Sequence, residues 1–214
     1  MNEKVGKVFS IKDDNRPLPG LTISKEVCKG MSYFSLAKDT DISAESFPYH
    51  KMIIVSDGRV EVYSPSMKSK FLGVDDSILT PKNLPVGIRT DSGAVYTEIE
   101  IRRNDNMNEM IKAGDVFSLS ELVPYQDGKI VNMDVVHNEA MKFVVMAFDE
   151  GTGLSEHSAP GEALIFALDG EGIIGYEGSE HTIKAGENFH FAKNGLHYVK
   201  ATKRFKMALL LMLK

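Results

Sequence analysis

The sequence repeats itself, and this feature constrains the fold more than any other. The segment at residues 4–11, KVGKVFSI, returns 108 residues later at residues 112–119 as KAGDVFSL. A longer segment, residues 42–58, returns at residues 154–170 with Ser, Pro, Ile, Asp and Gly in matching places, and a third, shorter match keeps the same order. Ordered matches at a nearly constant offset predict two similar halves of about 105 residues each.

A polar segment separates the two halves. Residues 102–108 read RRNDNMN, which is the composition of a linker rather than of a strand or helix. We therefore expect an N-terminal domain at residues 1–107 and a C-terminal domain at residues 108–214.

Short apolar segments bounded by turn residues run through both halves. Their length, their Val, Ile, Phe, Tyr and Leu content and the Gly, Asp, Ser and Pro clusters between them are typical of a β-sandwich or β-barrel. Helix is expected only as a turn or two near residues 108–112 and 119–122. The pattern predicts an all-β fold, with strands at residues 52–55, 60–63, 97–101, 143–148, 163–168, 172–176, 188–191 and 205–213.

Composition and charge disfavour several classes of protein. Thirty acidic against 25 basic residues give a net charge of -5, which provides no general attraction for nucleic acid or anionic lipid. The longest apolar run, residues 208–213, is far shorter than the roughly 20 residues that span a bilayer. The single Cys28 has no internal disulfide partner and is interpreted as buried filler, and the charged start differs from a signal peptide. We expect a cytoplasmic protein with no nucleic-acid or membrane partner.

Glycine and histidine spacings in the second half carry a family resemblance. Gly151 precedes His157 with five residues between them, Gly170 follows that histidine, and Gly186 precedes His197 by 11 residues. This pattern resembles the cupin superfamily, whose first motif contains two histidines and a glutamate between glycines and whose second motif contains one histidine. With its two similar halves the chain resembles a bicupin, which implies two tandem jelly-roll β-barrels.

The resemblance also implies four metal ligands in each barrel, and here the set is incomplete. His157 and His197 match two ligand positions, whereas Ala159 and Ala163 occupy the other two, and alanine has no lone pair. The C-terminal barrel is therefore expected to hold a divalent transition metal weakly, through His157 and His197, if at all. The N-terminal barrel is expected to be metal-free, because its four ligand positions hold Glu45, Phe47, Lys51 and Val86.

Strand alternation indicates how the segment around Ala163 is oriented. If Ala163 faces the cavity, Ile165 does too, whereas Glu162 faces away and would be a substitute ligand only through a bulge. The outward residues are equally apolar, which predicts a strand buried on both faces. Three such residues, Leu164, Phe166 and Leu168, would be buried by the other half, by a second subunit or by the core itself.

We expect a ligand pocket in the C-terminal barrel, with His157 and His197 as its polar groups. Neutral imidazoles would bind a carboxylate or hydroxyl of a small metabolite. Small and apolar residues are expected to form the walls: Ala159, Ala163, Ile165, Phe191 and Met207. The remaining histidines are expected outside the pocket, in surface or structural positions: His50, His137, His181 and His190.

Three functions remain open at this stage. The first is a bicupin that binds a small molecule in its C-terminal barrel. The second is a metal-dependent cupin enzyme of the dioxygenase, isomerase or decarboxylase type that acts on a small acid or sugar, and the third is a structural or sensory module. A homodimer is expected because jelly-roll edges and apolar outer sheets are commonly buried by pairing.

Overall fold

The computed structural model describes residues 4–102 and 107–213, which consist mainly of antiparallel β-strands. These ranges also contain the four-residue helix α1 (Ile11–Asp14) and a short 3-10 helix at Leu119–Glu121. The all-β jelly-roll class predicted from the sequence is confirmed. No helix within the described ranges is long and apolar enough to cross a membrane.

The described residues form two compact units, and neither unit is a single continuous stretch of the chain. Unit N comprises residues 11–102 and 109–118, and unit C comprises residues 4–10, 107–108 and 119–213. A single boundary after residue 107 was predicted. The residues that lie in the other unit from the one this boundary predicts belong largely to the two copies of the repeated KVGKVFSI-type segment. Residues 4–10 of the first copy lie in unit C, and residues 112–118 of the second copy lie in unit N. Most of the predicted linker, residues 103–106, lies outside the described residues.

Unit N contains two antiparallel sheets. The six-stranded sheet has the order β11-β8-β5-β10-β3-β2, and the four-stranded sheet has the order β4-β9-β6-β7. An apolar cluster that includes Ile53, Val62 and Tyr96 forms its core. The strands are β2 (Thr22–Cys28), β3 (Met31–Leu36), β4 (Thr40–Ser46), β5 (His50–Gly58), β6 (Val60–Ser64), β7 (Met67–Leu72), β8 (Asp76–Leu79), β9 (Pro85–Thr90), β10 (Ala94–Ile101) and β11 (Val116–Ser118).

Unit C is built on one sheet of nine described strands. Its main path has the order β1-β17-β15-β19-β13-β12, while β14 pairs with β18, and β15 continues to pair with β16 and β18. The strands are β1 (Val8–Phe9), β12 (Ile130–His137), β13 (Met141–Phe148), β14 (Gly153–Ser158), β15 (Glu162–Tyr176), β16 (Ser179–Lys184), β17 (Asn188–Phe191), β18 (Leu196–Lys200) and β19 (Phe205–Met212). The separate strands predicted at residues 163–168 and 172–176 are one strand, β15, with a register shift between Ala167 and Asp169 in its pairing with β19.

The long strand β15 is buried on both faces, as its sequence predicts. Ala163 and Ile165 belong to the apolar core of unit C. The alternate residues Leu164 and Phe166 are also buried, with 1% and 5% of their surface exposed. In contrast, Cys28 at the end of β2 is only half-buried, so its interpretation as core filler is wrong.

The repeat extends to irregularities in the strand pairing. In unit N the β4–β9 ladder shifts register between Ile42 and Glu45. In unit C the β14–β18 ladder shifts between Leu154 and His157, the positions that correspond to Ile42 and Glu45 in the repeat. A bulge bends a strand and redirects its side chains, so both units redirect the residue at the first ligand position of the motif.

Candidate functional site

The structure brings His157 and His197 together. They lie directly opposite each other on β14 and β18. The centroids of the two imidazole rings are 4.4 Å apart, and the ring planes make an angle of 52°. Two side chains separated by 40 residues in sequence therefore form one adjacent pair.

Backbone carbonyls determine which nitrogen of each ring carries the proton. Nδ1 of His157 lies 2.7 Å from the carbonyl oxygen of Ser155, and Nδ1 of His197 lies 2.8 Å from that of Gly195. A carbonyl oxygen only accepts hydrogen bonds, so each Nδ1 donates, and Nε2 of a neutral ring keeps its lone pair. Neither Nε2 has a hydrogen-bond partner within residues 4–102 and 107–213, so both are available as acceptors or ligands.

The two imidazoles differ in their environment. His157 is exposed, whereas only 5% of the His197 surface is exposed. The ring of His197 stacks on Phe191 at a centroid distance of 4.2 Å and an angle of 26°. Burial lowers the pKa of His197 below its usual 6.5, the hydrogen bond to Gly195 opposes this shift, and the neighbouring His157 adds slightly to it. His197 is therefore neutral at pH 7.

The residues predicted to wall a pocket lie mainly in the core. Phe191, which backs His197, belongs with Ala163, Ile165 and Met207 to the packed apolar cluster of unit C. Ala159 is half-buried, and its carbonyl accepts a hydrogen bond of 2.9 Å from the Asn194 N–H. The histidine pair thus lies at the margin of a packed core.

The pockets of the described residues include three whose linings contain neither His157 nor His197. One, of about 540 Å³, lies in unit C along residues 150–155 and 199–202, so it borders the far ends of the two strands that carry the histidines. The other two lie in unit N. An open one of about 500 Å³ includes Asp41, Arg59 and Arg89 in its lining. The smaller, of about 30 Å³, is lined by Glu45, Lys51 and Glu98 among others.

The acidic and imidazole side chains of the described residues do not cluster as metal ligands. No group of three or more His, Cys, Asp or Glu side chains in residues 4–102 and 107–213 could hold a metal ion. Glu162, predicted to be a substitute ligand only through a bulge, has its carboxylate 3.6 Å from Nε2 of the buried His190. Because catalytic sites commonly use three protein ligands, the described residues do not fit a catalytic metal centre of that type.

The remaining histidines occupy other positions. His190 is paired with Leu164, on the face of β15 opposite to Ile165, and is fully buried. Nδ1 of His50 lies 2.6 Å from the Thr80 carbonyl, and His137 lies 3.7 Å from the Asp134 carboxylate. The ring of His181 packs 5.2 Å from that of Phe189.

Unit N contains a charged pair that sequence reasoning did not identify. Nζ of Lys51 lies 2.9 Å from Oε1 of Glu98, and the two side chains are only 16% and 12% exposed. Lys51 was located by the motif, but Glu98 was not. A signal was present in β10, where the alternation of Tyr96, Glu98 and Glu100 places carboxylates on the same face of the strand as a core residue.

Comparisons with known proteins agree with the fold. Residues 144–213 match the family model described as a cupin domain. The chain is similar to the cupin 2 conserved barrel domain protein from Leptotrichia buccalis, with 28% identity, 97% of each chain covered and a TM-score of 0.86.

More distant structures share the fold alone. A salicylate 1,2-dioxygenase mutant from Pseudoaminobacter salicylatoxidans is 11% identical, with a TM-score of 0.66 over 98% of this chain and 84% of that one. Protein Ylba from E. coli is also 11% identical, with a TM-score of 0.62 over 96% and 89% of the two chains. No curated protein matches the chain. The chain is therefore similar to cupin proteins in two ways: residues 144–213 match the domain model, and nearly the whole chain matches the Leptotrichia protein.

Proposed function

We propose that the chain is a bicupin whose units N and C are two cupin barrels, and that unit C binds a small molecule through His157 and His197. The observation that carries this proposal is the adjacent pair of imidazoles, each held by a backbone carbonyl through Nδ1. Such anchoring fixes the orientation of a ring and leaves Nε2 for the ligand.

The protonation state indicates which ligand group fits. A neutral Nε2 accepts a hydrogen bond, so at pH 7 the neutral ring of His197 suits a hydroxyl group better than a carboxylate, which itself only accepts. Each neutral hydrogen bond contributes about 0.5–1.5 kcal/mol net, so such bonds orient a ligand rather than supply most of its affinity. The ligand class we propose is a small hydroxylated metabolite.

A thermal-shift screen of sugars, polyols and hydroxy acids tests this proposal. A ligand that stabilises the wild-type protein should lose its effect in His157→Ala, a substitution at an exposed position that the fold tolerates. His137→Ala, at another exposed histidine of unit C, is the matched control and should keep the full shift. An equal shift in His157→Ala, or no stabilising ligand among hydroxylated compounds, would refute the proposal.

A metal-dependent enzyme is the second candidate: the two histidines would supply two ligands, and water or substrate would have to supply the rest. One observation favours this candidate. Metal-binding histidines typically donate their second ring nitrogen to a carbonyl or carboxylate, as both rings do here. Elemental analysis of protein purified without a metal-binding tag decides between the candidates. Less than about a tenth of an equivalent of any transition metal would exclude this candidate.

The proposed homodimer is tested separately by light scattering.

A further inference from the structure

The strongest unexplained feature of the molecule is the charged cavity of unit N. Within it, the ammonium group of Lys51 contacts the Glu98 carboxylate at 2.9 Å and lies 3.8 Å from the centre of the Phe47 ring. The backbone N–H of Lys51 donates to Oγ1 of Thr80 at 2.9 Å, which holds the base of this side chain in place. The carboxylate and the aromatic face are both favourable contacts for the Lys51 ammonium group, and they show that this part of the lining accommodates positive charge.

Unit C shows that the fold does not require these charges. Lys51 corresponds to Ala163 in the repeat, and Glu98 corresponds to Leu209, because Glu98 pairs with Ile53 as Leu209 pairs with Ile165. Ala163 and Leu209 belong to or pack against the apolar core of unit C. Removing two charges from water is costly, so a charged pair where the twin unit uses apolar residues indicates a role beyond folding.

The cavity carries an uncompensated negative charge. Glu45 is exposed at its rim and has no ion pair or hydrogen bond to another side chain within residues 4–102 and 107–213. Two carboxylates and one ammonium group leave a net charge of -1 in the lining. Glu45 and Glu98 both line the cavity. Burial raises the pKa of Glu98, the ion pair with Lys51 opposes this shift, and Glu100 and Glu45 add to it.

The size of the cavity limits the group that enters. Its volume of about 30 Å³ holds one or two water-sized groups. An ammonium head has a single heavy atom apart from its carbon chain, whereas a carboxylate has three and carries the wrong charge. A ligand must therefore place a small cationic head inside and extend past Glu45 into solvent.

We propose that unit N contains a second ligand site, which binds the ammonium head of a small organic amine through the carboxylates of Glu45 and Glu98, with Lys51 holding Glu98 in position. This site is separate from the histidine pair of unit C and takes a charged ammonium group, whereas the pair is proposed to take a neutral hydroxyl group. It gives the barrel without motif histidines a binding role of its own.

Isothermal titration calorimetry of the full chain with propylammonium chloride tests the site. Sodium propionate and potassium chloride at the same ionic strength are the control probes. We expect saturable binding of propylammonium only, and a loss of about tenfold or more in affinity in Glu45→Gln, because a charged hydrogen-bond partner is removed. Asp41→Asn, which removes a negative charge from the same strand outside this cavity, should bind as wild type does, and so should His157→Ala.

Several outcomes would overturn the inference. Absence of binding, equal binding of potassium ions or stronger binding of propionate would each contradict an ammonium site. Equal affinities in Glu45→Gln and Asp41→Asn would show only a general charge effect. Because His157→Ala leaves unit N intact, failure here is distinguishable from failure of the proposed histidine site.

Discussion

His157 lies directly opposite His197 across the β14–β18 ladder, with the ring centroids 4.4 Å apart. The same ladder position in unit N holds Glu45 and Val86. One position of the repeated fold therefore carries two imidazoles in one unit and a carboxylate beside an aliphatic side chain in the other. The backbone supplies the position, and the side chains decide which chemistry it supports.

The two histidines should differ in their effect on stability. His157→Ala should change the free energy of unfolding by no more than about 0.5 kcal/mol, because the side chain is exposed. His197→Ala should cost about 2 kcal/mol, because it removes the stacking on Phe191 and leaves a cavity. Urea denaturation of both variants measures the difference. Equal costs would contradict the burial that distinguishes the two rings.

Titration of His197 should make the protein less stable in mild acid. Its pKa is lower in the folded state than the usual 6.5, so the unfolded chain takes up a proton first as the pH falls. The stabilising contribution is complete above about pH 6.5 and declines below it, until the pH has passed the folded-state pKa. Urea denaturation at pH 7.5 and 5.0 should show a smaller loss in His197→Phe than in wild type. The same loss in both proteins would mean that other groups account for it.

Removing one partner of the Lys51–Glu98 pair should lower the free energy of unfolding more than replacing both partners with apolar residues. Glu98→Leu alone should destabilise the protein by about 2–4 kcal/mol, because it leaves the Lys51 ammonium largely buried without its partner. The double variant Lys51→Ala/Glu98→Leu, which installs the residues found at the equivalent positions of unit C, should recover most of this loss. Chemical denaturation of the single and double variants forms the test. A double variant as unstable as the single one would show that the pair stabilises the fold directly.

Deleting residues 1–10 should weaken unit C rather than the unit that follows directly in sequence. In β1, Val8 and Phe9 pair with Phe189 and Asn188, and the Gly6 N–H donates to the His190 carbonyl at 2.9 Å. Hydrogen exchange measured by mass spectrometry should therefore rise in β17 (Asn188–Phe191). The amides of β10 in unit N serve as the internal control. Faster exchange in β10 than in β17 would contradict the observed assignment of this segment.

Much of the fold could be predicted from the sequence, because it depends on local patterns along the chain. The β17 boundaries at residues 188–191 agree with the predicted strand, and the repeat predicted the matching ladders of the two units. The continuity of β15 through Gly170 could not be read, because a glycine with positive φ marks a turn as readily as a bulge. Similarly, motif spacing located His157 and His197, but it gave no information about what fills the space beside them.

The sequence by itself determined the all-β class, the twofold repeat and the positions of the two motif histidines, since each depends on periodicity or spacing along the chain. Only the tertiary structure decided that the first copy of the repeated segment pairs within unit C, that Phe191 packs against His197, and that Lys51 meets Glu98. The physical reason is that pairing between distant strands and the filling of a core depend on many weak contacts made at once. No single segment of the chain encodes that balance.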